Sequence, residues 1–493
     1  VDFTPSPDQQ QAIDRIVNWF LTCRRDVEYC TGAADTDSDR KCPQVPHTHV
    51  DAGLGPGPVI SLGGYAGTGK TSVLGHLGML LVDKGVKLVF ATPTNKAAGV
   101  LRRKLPEELK PLVSTTYALS YIPDPKDKCK QSGYFVDEVS TECTCGEVAQ
   151  DCTCPRLFTP CGQHDGTCTV VEHLEWIKRD TVRGHAELIV VDEASMLSQE
   201  QVEDLLDFGL PVLVTGDHGQ LPPVMAQMNQ WIARPDIVLV ENHRQKQDTS
   251  GIVDLALWAR EGFQLRKGVW GDGRTVVMGK DDPRGGQLLD PERFRARGPE
   301  ATWPQIICAL NADRAGINRI FHGPGPVRAG DKVTALRKCV VPVVERFDPE
   351  GRPVPRMRSV QVVEADGSVG VSGELEAVKR TVHNGASGIV LKAWEPKGGL
   401  VRIVVALDDG PMVEVSGCEE KQFGHERTLG KNEVVSRESR LWDYAYAVTC
   451  HRAQGSEWDE VIVMDNAGAD RERWRYTAIT RAKQKLIVIS MRE

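Results

Sequence analysis

The chain has 493 residues, enough for about three to four domains. Hydrophobic residues make up 40% and the formal net charge is −8, so each domain can bury a core and nothing global marks a nucleic-acid binder. A local basic groove stays open, because charge distribution matters more than the sum. No apolar run approaches the ~18 residues of a membrane span, and no secretion signal opens the chain. The expectation is a cytoplasmic protein with no membrane partner.

In chain order, Ser6 reads as a helix N-cap with Pro7 at the first helical position. Apolar residues at 12, 13, 16, 17, 20 and 21 give that helix one buried face. A polar stretch from about 23 to 58 then reads as an insertion or surface loop. Strand 59–62, a glycine loop and a helix through about 82 follow, then an apolar run at Val86–Phe90. Residues 120 to 170 break the pattern with Pro, Gly and paired cysteines. It resumes at Leu188–Val191 and Val212–Val214, and again between 236 and 320. Strands alternating with helices predict a parallel sheet covered on both faces. Residues 325 to 440 differ, with alternating runs at Ser359–Val363, Gly388–Leu391 and Leu400–Ala406 that predict a small antiparallel β domain. The last fifty residues return to α/β, with strands at Val461–Met464 and Lys485–Ile489.

The glycine loop is Gly64-Tyr-Ala-Gly67-Thr68-Gly69-Lys70-Thr71 between a strand and a helix. That spacing makes a phosphate-binding loop: the glycines let backbone N–H groups face phosphate oxygens, and the helix N-terminus adds partial positive charge. Lys70 is suited to the β- and γ-phosphates and Thr71 to Mg²⁺. Asp192 and Glu193 end an apolar strand, where successive side chains point to different sides. Asp192 is expected to hold Mg²⁺ and Glu193 to orient or deprotonate the attacking water. Gln220, in Gly216-Asp-His-Gly-Gln-Leu-Pro-Pro223, is expected to contact the γ-phosphate, and the stiff Leu-Pro-Pro to relay nucleotide state. Arg244 and Arg481 read as γ-phosphate contacts from a second lobe, since a guanidinium spreads transition-state charge.

This set, in this order from Gln9 to Arg481, resembles the superfamily 1 DNA helicases of the RecD, Dda and Pif type. The resemblance implies an adenine-reading role for Gln9. It implies single-strand DNA contacts at Pro93, Thr94 and Asn95 in Ala91-Thr-Pro-Thr-Asn-Lys96, and at Thr115 and Thr116. Tyr117 stands where the family usually has His. Asn311-Ala-Asp-Arg314 resembles the opening of the second motor lobe, and Val382-His-Asn-Gly385 a turn near the family's SH3-like domain. Ala447–Glu457 resembles the segment linking nucleotide to DNA, with Thr449 and His451 on DNA and Gly455 and Glu457 on nucleotide. The implied fold is α/β: two RecA-like parallel-sheet motor lobes with a Cys-rich insertion and a small SH3-like β domain. The expected boundaries are 1–118 with 172–235 for the first lobe and 119–171 for a pin- or wedge-like insertion. The second lobe takes 236–325 with 441–493, and the β domain 326–440. ATP and Mg²⁺ are the implied cofactors. Single-stranded and forked DNA are the implied partners, replication or recombination proteins candidate ones, and a monomer the expected state.

Fourteen cysteines is many for a cytosolic chain. Cys308, Cys339, Cys418 and Cys450 are scattered and read as small core residues. Cys143, Cys145, Cys152, Cys154, Cys161 and Cys168, with Cys129 before them and His164 and His173 nearby, can ligate one or two Zn²⁺ tetrahedrally. An iron–sulfur cluster is the second reading and disulfides the third. Cys23, Cys30 and Cys42, with His47 or His49, form a less regular candidate, weighed evenly against a plain loop.

The function expected is an ATP-dependent DNA helicase that moves 5′ to 3′ on single-stranded DNA and unwinds duplex. The alternative is a nucleic-acid-dependent ATPase switch or remodelling factor without processive unwinding. A phosphoryl-transfer enzyme outside this class would need a small-substrate pocket, and the sequence shows none.

Overall fold

The computed structural model describes residues 3–32, 57–129, 170–179, 182, 186–243, 249–292, 304–363, 369–408, 410–430, 433–435, 439–468 and 470–491. The chain divides into two units, one of Val1–Thr115 with Glu187–Glu493 and one of Thr116–Ala186.

The large unit opens on the helix Pro7–Gly32, which buries Ala12, Ile13, Ile16 and Phe20 as the spacing predicts. It runs past residue 22, where a polar insertion is expected, because residues 23–31 hold no Gly or Pro to break it. The first sheet has six parallel strands in the order Val113–Thr115, Leu88–Thr92, Leu188–Val191, Val212–Gly216, Val59–Gly64 and Ile237–Leu239. Helix Lys70–Asp83 covers it with Val73, Leu74, Leu77 and Leu81. The last strand lies beyond the boundary expected at 235, yet Leu62 pairs with Ile237. Asp236 explains this: its Oδ2 accepts from both N–H (2.9 Å) and Oγ (2.6 Å) of Ser61 and so fastens the strand to its neighbour.

A second six-stranded sheet follows, in the order Ala447–Thr449, Gln305–Cys308, Trp458–Asp465, Ala482–Ser490, Thr275–Gly279 and Gly268–Trp270. Only its last strand is antiparallel. Between two adjacent strands of this sheet, Gln305–Cys308 and Ala447–Thr449, the chain leaves to build an antiparallel β domain. The domain's eight-stranded sheet ends on Trp442–Tyr444, past the expected 440. The alternating run Ser359–Val363 is not part of that sheet; it pairs with Val369–Ala377 as a separate two-stranded ribbon.

The root of the β domain is pinned. Asn318 Nδ2 donates to the carbonyls of Tyr444 (2.9 Å) and Ala447 (3.3 Å), while its Oδ1 accepts from Ala447 N–H (2.7 Å). Gln305 Nε2 donates to the carbonyls of Ala445 and Tyr446, and its Oε1 accepts from the buried Lys332 Nζ at 2.9 Å. That burial pulls the Lys332 ammonium down to about 8.

The small unit begins with a short helix, Thr116–Ser120, and an antiparallel ribbon of Tyr121–Cys129 with Val170–Lys178. The sequence predicts no strands here. A two-stranded ribbon has only edge strands, which is why Pro123 and Pro125 are tolerated. Cys143, Cys145, Cys152, Cys154, Cys161 and Cys168, and Cys42 in the other unit, lie outside the described residues. Among the described residues no helix is long and apolar enough to cross a membrane.

Candidate functional site

The loop at 64–71 curls as its glycines predict. Gly69 sits at φ 81°, and a Cβ there would lie 2.4 Å from Gln9 Nε2. Gln9 is buried, and its amide is committed to the protein: Oε1 accepts from Ser6 N–H (3.0 Å) and Nε2 donates to the Thr68 carbonyl (3.1 Å). The first helix therefore braces the loop floor through the residue expected to read adenine. Thr68 closes the turn by donating its hydroxyl to the Tyr65 carbonyl (2.9 Å). Lys70 Nζ donates to the carbonyls of Gly64 (2.6 Å) and Tyr65 (3.1 Å), contacts that phosphate oxygens would replace.

Thr71, Asp192, Glu193, Gly455, Glu457 and Arg481 line one crevice. Asp192 is buried, and its Oδ1 accepts from Thr215 Oγ1 (2.8 Å) and Glu193 N–H (2.9 Å). Glu193 takes a left-handed backbone, φ 58°, unusual for a non-glycine residue and a mark of local strain. Burial, then the neighbouring Asp192, raises its carboxyl above the usual range, against the pull of Arg481 and Lys70. Arg481 belongs to the second lobe, where Nε donates to the Thr477 carbonyl (3.0 Å), Nη1 to the Ser456 carbonyl (3.3 Å) and Nη2 to Thr480 Oγ1 (3.1 Å). Gln220 is buried and its Oε1 has no hydrogen-bond partner among the described residues. Arg244 lies outside the described residues; its neighbour His243 donates its N–H to the Gly67 carbonyl at 3.0 Å.

The lobes meet through side chains the motifs do not single out. Leu221 from the first lobe enters the second lobe's core beside Ile252, Leu255 and Ala453. Its N–H donates to Thr477 Oγ1 (2.9 Å) and its carbonyl accepts from Gln454 Nε2 (2.8 Å). Gly455 approaches Ala97 so closely that a Cβ would lie 3.1 Å from the Ala97 Cβ. Lys104 pairs with Glu457 at 3.3 Å.

Two adjoining hollows, of about 700 and 220 Å³, run between the first lobe, the β domain and the second lobe, sharing Lys96, Asn384, Gly385 and Ser387. The larger is basic, with Arg102, Arg103, Arg380 and His383; the smaller holds Thr94, His451, Arg452 and Gln454. Burial lowers the pKa of His451, which favours the neutral ring that can both donate and accept a hydrogen bond. Lys96 Nζ lies 4.8 Å from the ring centre of Trp458. Thr94 spends its Oγ1 lone pair on capping helix Asn95–Lys104, accepting from Ala97 N–H at 3.1 Å. Of the other expected DNA contacts, Asn95 lines the larger hollow, while Pro93, Thr115 and Thr449 line neither and Thr116 falls in the small unit. Nothing in local sequence marks Arg102, Arg103 or Arg380; only folding brings them to one wall.

Helix Asn95–Lys104 serves both sites. Ala97, Val100, Leu101 and Lys104 face the crevice, whereas Asn95, Lys96, Gly99, Arg102 and Arg103 face the basic hollow. This is the three-and-four spacing of a helix with two working faces. The segment after Thr449 does the same, with His451, Arg452 and Gln454 in the groove and Gly455 and Glu457 in the crevice.

Residues 52–226 match the family model described as AAA domain, and residues 444–489 the model described as UvrD-like helicase C-terminal domain. The two matches fall on the two walls of the crevice. The ATP-dependent RecD2 DNA helicase of Deinococcus radiodurans is 28% identical over 318 residues, which is 61% of this chain. Over the matched residues the chain is similar to superfamily 1 helicases of the RecD/Pif kind. The match spans 36% of the RecD2 protein's length. Among solved structures, Pif1 from Bacteroides bound to single-stranded DNA covers 88% of this chain and 89% of its own, at 16% identity and a TM-score of 0.42. Pif1 from Candida albicans covers 100% of this chain and 95% of its own, at 14% identity and a TM-score of 0.42.

Proposed function

We propose that this chain is an ATP-driven motor that moves along single-stranded DNA, 5′ to 3′, and separates duplex strands at a fork. One observation carries the reading: helix Asn95–Lys104 and the 451–457 segment each touch the crevice on one side and the basic groove on the other. Any shift of the lobes across the crevice must therefore displace groove walls. Phosphates on the loop displace Lys70 from its two carbonyls, and in this reading the crevice walls part to admit them and close again. That opening and closing is the motor stroke.

In this reading the loop N–H groups and Lys70 hold the β- and γ-phosphates, Glu193 takes a proton from the attacking water, and Arg481 meets charge developing on the γ-phosphoryl. Gln220 reports on that group by accepting a hydrogen bond from the attacking water at its side-chain carbonyl oxygen, which has no partner among the described residues. The Thr71 hydroxyl and Asp192 carboxylate share the crevice and are hard oxygen donors that would hold Mg²⁺, whose charge would offset that of the phosphates. Lys96, Arg102, Arg103, Arg380 and Arg452 track DNA phosphates, with their salt-dependent counterion release. The β domain corresponds to the family's SH3-like element. The 116–186 unit is the wedge that splits the fork, since stacking of about 1.4 kcal/mol per step must be overcome at a defined edge. Its cysteines suit Zn²⁺ on ligand chemistry alone.

The test is unwinding of 5′-tailed against 3′-tailed forks, beside ATPase with and without single-stranded DNA. Unwinding confined to 5′-tailed forks supports the reading. DNA-stimulated hydrolysis without unwinding returns the chain to an ATPase switch.

A further inference from the structure

The geometry points to Tyr476 as a positioning residue, one that ties the phosphate loop and the Gln220 segment to a single hydroxyl of the second lobe. The inference rests on the motor reading and adds a coupling element to it. Tyr476 Oη accepts from Ala66 N–H, inside the phosphate loop, at 2.8 Å. The same hydroxyl donates to Asp217 Oδ2 at 2.7 Å. Asp217 is fully buried, and its Oδ1 accepts from Gly219 N–H at 2.9 Å, one residue before Gln220. A hydroxyl can accept and donate at once, which makes this bridge possible.

The residue beside Ala66 is held from the same side. The Arg260 guanidinium of the second lobe stacks 3.6 Å from the Tyr65 ring centre. Tyr65 Oη and His218 Nε2 share a hydrogen bond of 2.6 Å, and the Tyr476 ring meets the Tyr65 ring edge-on at 6.2 Å. The Tyr65 carbonyl in turn accepts from Lys70. Parting of the lobes breaks both Tyr476 bonds together, leaving a loop amide and a buried carboxylate without their partner. The bridge can therefore exist in only one cleft state, and phosphates that reshape the loop bias that state. The hydroxyl touches no reacting atom, so its effect is on coupling rather than on the bond broken.

The experiment measures single-stranded DNA affinity by fluorescence anisotropy, with and without a non-hydrolysable ATP analogue and Mg²⁺. The ratio of the two affinities is the coupling factor. Tyr476→Phe keeps the ring and removes the bridge. It should leave nucleotide-free DNA affinity, and analogue affinity without DNA, within about twofold, and should bring the coupling factor at least about fivefold closer to one. Asp217→Asn should act likewise, and the double variant should be no worse than either single one, because they share one bond. If the parent protein couples the ligands and both single variants keep its factor, Tyr476 is only a structural tie and the proposal is overturned. Asp217→Asn decides alone if Tyr476→Phe fails to fold. A parent protein that binds both ligands without coupling overturns the motor reading itself.

Discussion

Leu221→Ala tests whether the lobes part during turnover. Leu221 is 4% exposed and sits in the second lobe's core although it belongs to the first lobe's chain. Truncating a buried leucine to alanine costs about 2–5 kcal/mol, partly for lost transfer energy and partly for the cavity left behind. Taking about 3 kcal/mol, and 1.36 kcal/mol per tenfold, the joined state loses roughly 150-fold in population relative to a parted one. In a parted state Leu221 faces water in parent and variant alike, so the whole cost falls on joining. DNA-stimulated ATPase should then drop by up to about 100-fold, while thermal unfolding of the same preparation shifts little. The opposite pattern, a full stability loss with turnover within about twofold, would refute the reasoning. It would mean that Leu221 stays buried through the cycle and that the lobes move as one body.

Lys70→Ala should abolish ATP hydrolysis with circular dichroism unchanged; retained DNA-stimulated turnover would remove the phosphate-loop assignment. Glu193 must be ionised to accept a proton, and burial with Asp192 raises its pKa. The acid limb of the ATPase pH profile should thus lie above the ordinary glutamate value of about 4.3, rate falling as pH falls through it. Glu193→Gln should lose about 100-fold or more in turnover, and an unaltered rate would shift the base elsewhere. Arg314 is bonded to the buried Asp443 carboxylate and to the carbonyls of His425 (2.7 Å) and Glu426 (3.0 Å). Arg314→Ala strands that carboxylate and should destabilise by about 3–5 kcal/mol in urea unfolding; a change below about 1 kcal/mol would show that the carboxyl is held neutral. Serine at the six cysteines Cys143 to Cys168 should release zinc in metal analysis and lower unwinding more than ATPase, whereas full metal content in that variant would end the metal reading.

The phosphate loop and the Asp192-Glu193 pair were legible because their chemistry lies in contiguous residues between apolar strands. The parallel sheets were legible for the same reason: uninterrupted apolar strands alternate with helices. What the sequence hid is contact across the lobes. Arg260 and Tyr65 are 195 positions apart, and neither spacing nor periodicity links a guanidinium to that ring. Residues 237–239 fall on the second lobe's side of the expected boundary, while a carboxylate at 236 bonded to Ser61 fixes strand Ile237–Leu239 beside the first sheet's Val59–Gly64. Gln9 was legible as important, but the sequence could not show that its amide already braces Thr68. Cys308, Cys418 and Cys450 are buried as expected, with Cys339 half-buried; Cys23 is half-buried on the first helix.

The β domain leaves and rejoins the second lobe between strands that pair with each other, and Asn318 and Gln305 clamp both ends of the excursion. An appendage on one flexible tether swings without consequence. One whose two chain connections are both clamped at the same root delivers any load on its tip to that root. Here the root includes Ala447–Thr449, and the next residues are those that line groove and crevice. Resistance met by the β domain is thus delivered mechanically to the residues of the crevice, which in the proposed motor gives an obstacle on the DNA a direct route to slow ATP turnover.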